Sequence, residues 1–146
     1  MLATPLQILQ VEDDEDDRVL FAWAFKKAGI RAEIVYANEG SECLQKLETY
    51  LPEVIFLDIN MAGMNGKDCL KLIRQQNKFD AIPVIIATTS DHEADINETF
   101  QSGASLFVVK PFRAEDLVTL LKRIFTDNWK QQLSQRNRAA YVVAVK

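Results

Sequence analysis

The chain has 146 residues, 48% of them hydrophobic, and a formal net charge of -4, which suits one globular domain with a sizeable core and leaves no room for a second of ordinary size. The acidic balance excludes a general nucleic-acid surface, because phosphate binding depends on clustered Lys and Arg. No apolar run is long enough to span a bilayer and the N-terminal residues have no signal-peptide pattern, so a cytoplasmic protein is expected.

In chain order, the first apolar run, residues 6–11, reads as a strand and leads into Glu12-Asp13-Asp14. Leu20, Phe21, Ala24, Phe25 and Ala28 then recur at helical spacing, and Gly29 stands where that helix should end. A second strand is predicted over 33–37, followed by a helix marked by Cys43, Leu44, Leu47 and Leu51. Residues 54–57 form the third strand and end at Asp58, before the Gly-rich loop 60–66; a helix carrying Leu70 and Ile73 follows, then a loop over 77–81. The fourth strand, 83–87, runs into Thr88, and Ser90 with Glu93 has the spacing of a capping box at the start of a helix bearing Ile96 and Phe100 and closed by Gly103. The fifth strand, 106–109, meets Lys110-Pro111, and Leu117, Leu120, Leu121, Ile124 and Phe125 mark a last helix. Five strands alternate with five helices, and the strands are continuously apolar, which implies a parallel sheet covered on both faces.

In an open parallel sheet the functional groups collect at the carboxyl ends of the strands. Glu12, Asp13, Asp58, Thr88 and Lys110 should therefore converge on one rim. Carboxylates packed at about 4 Å repel by a few kcal/mol, so Glu12, Asp13 and Asp58 need a cation to stay ionised together. An all-oxygen set without His or Cys points to Mg²⁺ rather than zinc. The competing reading, that residues 12–17 are only an acidic helix N-terminus favoured by the dipole, accounts for several of these acids but not for Asp58.

With these residues in place the chain resembles the receiver family of two-component response regulators over residues 6–129. The matching motifs are Glu12-Asp13, Phe56-Leu57-Asp58-Ile59-Asn60-Met61, Thr88, and Lys110-Pro111-Phe112. The resemblance implies a doubly wound, flavodoxin-like α/β fold of (βα)₅ type with strand order 2-1-3-4-5, and a signalling protein rather than an enzyme. It implies that Asp58 accepts a phosphoryl group from a histidine kinase or phosphotransfer protein. Asp13, Asp58 and the Asn60 backbone carbonyl would ligate Mg²⁺, with Mn²⁺ as a substitute, and Glu12 would act through metal-bound water. Lys110 would pair with the phosphoryl oxygens, while Thr88 would swing in to bond one and draw Phe107, the switch aromatic, inward. Lys110-Pro111 would be a cis peptide. The sequence departs from the family at Ala62, where a proline is usual, and at Phe107, where Tyr is common; Asn60 and Ser90 stand at positions that tune dephosphorylation. Residues 11–17, 88–96 and Trp129 are similar to the small regulators paired with phytochrome-type kinases.

Other readings fit less well. A phosphatase using Asp58 wants a second carboxylate two residues on, where Asn60 stands. A flavin or dinucleotide carrier wants a Gly-rich first turn, and Glu-Asp-Asp would repel a pyrophosphate. Cys43 and Cys69 read as buried reduced thiols, Trp23 as an exposed kinase contact and His92 as a solvent-facing residue. Residues 130–146 form a basic extension with Lys130, Arg136, Arg138 and Lys146. Its apolar end, 139–145, is expected to pair as an extra strand or to mediate a homodimer, alone or with the face of the fourth helix, fifth strand and fifth helix. Too few residues follow Trp129 for a DNA-binding domain, so output must pass through a downstream protein.

Overall fold

The computed structural model describes residues 4–145. The strands are β1 (Leu6–Val11), β2 (Ala32–Ala37), β3 (Val54–Leu57), β4 (Val84–Thr88), β5 (Leu106–Val109) and β6 (Val142–Val143). The helices are α1 (Glu15–Lys27), α2 (Gly40–Leu47), α3 (Gly66–Arg74), α4 (Glu93–Gln101), α5 (Ala114–Ile124) and α6 (Trp129–Ser134). All strands pair in parallel in the order 2-1-3-4-5-6. The expected five-stranded order is thus present and carries one strand more, because residues 129–143 turn back and lay β6 along the outer edge of β5.

Alternation along each strand sorts the apolar side chains into two cores. Leu9, Val11, Ile55, Leu57, Ile86 and Phe107 face α2, α3 and α4. Ile8, Phe56, Ile85 and Val108 face α1 and α5, where Phe56 stands edge-on to Phe21 with ring centroids 4.7 Å apart. Both faces of the sheet are consumed, which is why the strands read as unbroken hydrophobic runs.

Helix ends follow local chemistry. Asp14 caps α1 by accepting from Asp16 N at 2.8 Å and Asp17 N at 3.2 Å. Gly29 (φ 75°) and Gly103 (φ 101°) close α1 and α4 in the left-handed region, with paired 6→1 and 5→2 backbone bonds from Ile30 to Phe25, Gly29 to Lys26, Ala104 to Thr99 and Gly103 to Phe100. The expected capping box does not form. His92 is the N-cap of α4, Ser90 Oγ donates to Asp95, and Glu93 is engaged by Arg138, so tertiary partners outbid the local exchange. The loop expected over 77–81 contains a 3₁₀ turn, Asn77–Phe79, because Phe79 is drawn into the core.

Cys43 and Cys69 are buried free thiols in contact, and the hydrogen bond that the Cys43 thiol makes to Cys69, together with burial, pushes the Cys43 thiol far above its usual range. No helix among the described residues is long and apolar enough to cross a membrane.

Candidate functional site

The ladder places the strand-end residues side by side. Val11 of β1 is level with Leu57 of β3, and Thr88 of β4 with Val109 of β5. The next residues continue the pairing: Asp58 N donates to Val11 O at 3.1 Å and Lys110 N to Thr88 O at 2.7 Å. Glu12, Asp58 and Lys110 thereby project from one rim toward the α1 side.

Lys110 Nζ is the hub. It lies 2.6 Å from Glu12 Oε1, 3.2 Å from Asp58 Oδ2 and 3.1 Å from Asp17 Oδ2. Burial works against its charge, but Asp58, Glu12 and Asp17 more than offset this, and the ammonium is held well above the ordinary lysine range. Burial, helped by Asp58, raises the Glu12 carboxyl above the usual carboxylate range against the pull of Lys110. Glu12 Oε2 accepts from Asp14 N at 3.2 Å, and Asp58 Oδ1 accepts from Asn60 N at 2.9 Å. Asp58 is 9% exposed, low in the cleft yet within reach of solvent.

Thr88 is fully buried, and its Oγ1 accepts from Asn60 Nδ2 at 3.2 Å and Ser90 N at 3.3 Å. Asp13 is exposed at the mouth, and its Oδ2 accepts from Ala62 N at 3.3 Å across the cleft. Gly66 lies so close below the acceptor that an added Cβ would stand 2.2 Å from Asp58 O and 2.7 Å from Ile59 Cα. The third helix can begin here only because the side chain is a hydrogen.

Among the described residues no three acidic, His or Cys side chains form a ready-made metal cage. The oxygen donors at the strand ends, the carboxylates of exposed Asp13 and of Asp58, are of the kind that suits a hard cation that keeps most of its waters, which is the habit of Mg²⁺.

Two expectations need revision. Lys110-Pro111 is not cis, since no cis peptide occurs among the described residues; trans is the lower-energy isomer even before proline, and the Lys110 ammonium reaches the carboxylates from it. Phe107 is already fully buried, with the Tyr141 ring at 6.0 Å, so the inward position expected to follow phosphorylation is occupied in this structure. Asp17 was legible only as a helix-capping acid, although its place three residues after the Asp14 cap aims it at the rim. His92 is 80% exposed in its side chain, and Trp23 is 38% exposed beneath Lys27.

The family description of the response regulator receiver domain matches residues 8–122. The chain belongs to the response regulator receiver family. This receiver is 29% identical over 124 residues to chemotaxis protein CheY1 of Helicobacter pylori strain J99, covering 84% of the chain and 99% of that protein. Its fold matches the phosphorylated cyanobacterial phytochrome response regulator RcpA with a TM-score of 0.76 and 25% identity, over 83% of this chain and 91% of that one. It also matches the Mn²⁺-bound form of response regulator Rcp1 with a TM-score of 0.72 and 28% identity, over 82% and 91% of the two chains. The receivers are signalling domains, and the sheet and its strand order fit that family.

Proposed function

We propose that this receiver takes a phosphoryl group onto Asp58 from a phosphohistidine of a sensor kinase or phosphotransfer protein, and signals by changing which protein it binds. The observation that carries the reading is the single ammonium of Lys110 touching both Asp58 and Glu12 at the end of the sheet. An Asp58 carboxylate oxygen attacks phosphorus, the O–P bond forms as the N–P bond breaks, and the released imidazole takes up a proton. Lys110 neutralises charge on the phosphoryl oxygens from the Asp58 Oδ2 side. Asn60 N, already donating to Asp58 Oδ1, fixes the carboxylate plane. Asp13, Asp58 and the Asn60 carbonyl would hold Mg²⁺, or Mn²⁺ in its place, with Glu12 reaching it through water; the bound ion neutralises charge on the transferring group. Thr88 is the switch residue, turning its hydroxyl from Asn60 and Ser90 to a phosphoryl oxygen, and Phe107 on β5 carries the change outward.

Val19 and Trp23 on α1 and Phe112, which follows Lys110-Pro111, are exposed apolar side chains and form the surface proposed for the kinase. The likeness to RcpA supports a phytochrome-type kinase as that partner. Intact-mass measurement with a small acyl-phosphate donor tests the reading. One phosphoryl group per chain is expected in Mg²⁺ and little without it, and none on Asp58→Asn; equal labelling of Asp58→Asn would refute it.

A further inference from the structure

The segment after α6 lies on α4 and β5, held by contacts of several kinds. Tyr141 is 1% exposed, with its ring 5.0 Å from that of Phe100. Its hydroxyl and Thr99 Oγ1 are 2.7 Å apart, and Thr99 is fully buried. Phe107 N donates to Tyr141 O at 2.9 Å. The Arg136 guanidinium lies 4.2 Å over the Phe100 ring and donates to Ala104 O and Phe100 O. Arg138 bonds Glu93 and Asn97, each at 2.9 Å.

The same segment terminates a continuous run of polar contacts that begins at Asp58. Asn60 N donates to Asp58 Oδ1 at 2.9 Å, and Asn60 Nδ2 to Thr88 Oγ1 at 3.2 Å. Ser90 N donates to that Thr88 oxygen at 3.3 Å, and Ser90 Oγ donates to Asp95 Oδ2 at 2.6 Å. Asp95 O accepts from Thr99 Oγ1 at 2.8 Å, and Thr99 meets Tyr141. Because the Thr99 hydroxyl hydrogen is directed to its own helix, Tyr141 is the donor in the last link.

We propose that residues 136–143 are an intramolecular latch on the α4–β5 face, released when Asp58 is phosphorylated. The proposal rests on the phosphoacceptor reading above. Once the Thr88 hydroxyl turns to the phosphoryl group, Ser90 N loses its acceptor, and the Ser90 side chain lets go of Asp95, which Lys67 then holds alone. The first turn of α4 shifts, and Thr99, one turn further on, leaves the Tyr141 hydroxyl without a partner. A buried hydroxyl without a hydrogen bond is unfavourable, so the ring and the strand behind it leave. The groove they vacate has a floor of Phe100 and Phe107 and an acidic rim at Glu93. It fits a partner segment that brings an aromatic side chain beside a cation, the chemistry of the latch itself. By linkage, a weakened latch also favours phosphorylation.

Hydrogen exchange on the full chain tests this, with an acyl-phosphate donor and Mg²⁺, and with phosphate stoichiometry read by intact mass on the same samples. Exchange at the amides of 138–143 and of Phe107 is expected to quicken at least tenfold on phosphorylation and to stay unchanged in Asp58→Asn. Tyr141→Phe keeps the ring and removes the hydroxyl; its latch amides should exchange about fivefold faster before phosphorylation, the worth of one neutral hydrogen bond. A chain that carries phosphate while these amides exchange at the same rate or more slowly overturns the latch and leaves the phosphoacceptor reading standing. A chain that takes up no phosphate overturns both, and a Tyr141→Phe chain that exchanges like the wild type removes the link the latch depends on.

Discussion

Replacing Lys110 by Met keeps most of the side-chain volume and removes the one cation among the described residues that touches Glu12, Asp58 and Asp17. The side chains of Glu12 and Asp58 are only 3% and 11% exposed, so they would be left as neighbouring buried charges with no counter-ion. Removing one partner of a buried pair costs about 3–5 kcal/mol. Asp17, at 39% exposure, is largely screened and adds little. A loss of about 3 kcal/mol is therefore expected in urea unfolding followed by tryptophan fluorescence without divalent ions, equivalent to a midpoint lower by roughly 6–12 °C for a domain of this size. The deficit has a sign in pH. Glu12 is raised, so its neutral form is favoured in the fold; the stability tied to that form is present at low pH and lost as pH rises through the folded value. Acidification should therefore shrink the Lys110→Met deficit as Glu12 takes up its proton. Adding Glu12→Gln should also recover much of the loss at neutral pH. A deficit below about 1 kcal/mol, or one that grows on acidification, would refute the buried-triad account.

Gly66→Ala is expected to destabilise by about 2–3 kcal/mol, because the new methyl meets the backbone of Asp58 and Ile59 rather than a yielding side chain; the urea midpoint reads it, and a change under about 0.5 kcal/mol would show the loop yields freely. Asp95 is held below its usual range by the hydrogen bond from Lys67 and then by that from Ser90. Its stabilisation is thus present above the unfolded value near 3.9 and lost as pH falls through the folded value. Asp95→Asn should cost about 1–2 kcal/mol at pH 7 and progressively less below about pH 4, as measured by unfolding across that range.

The strands and the rim were legible because a parallel sheet buried on both faces must be continuously apolar, so any ionisable residue at a strand end stands out. Asp58 after Val-Ile-Phe-Leu and Lys110 after Val-Val are of that kind. Asp17 was hidden by its surroundings: within a run of acids at a helix start, the dipole explains each one without a partner. Ser90 and Glu93 had the right spacing for a cap, but Asp95 and Arg138 supply better partners, and the latter lies 45 residues away. Tyr141 was obscured for a similar reason. It sits in a short apolar run with no periodicity to assign it a face, and its partners Thr99, Phe100 and Phe107 belong to elements recognised for other reasons.

The two-residue strand at the sheet border has a consequence for behaviour in a crowded solution. A bare ladder along Leu106–Val109 would offer a template on which a second chain could extend the sheet indefinitely, and a stub of two residues blunts it. Fibre growth or dimer formation by that route first requires β6 to withdraw from β5. Concentration-dependent assembly would accordingly be governed by whatever loosens that strand.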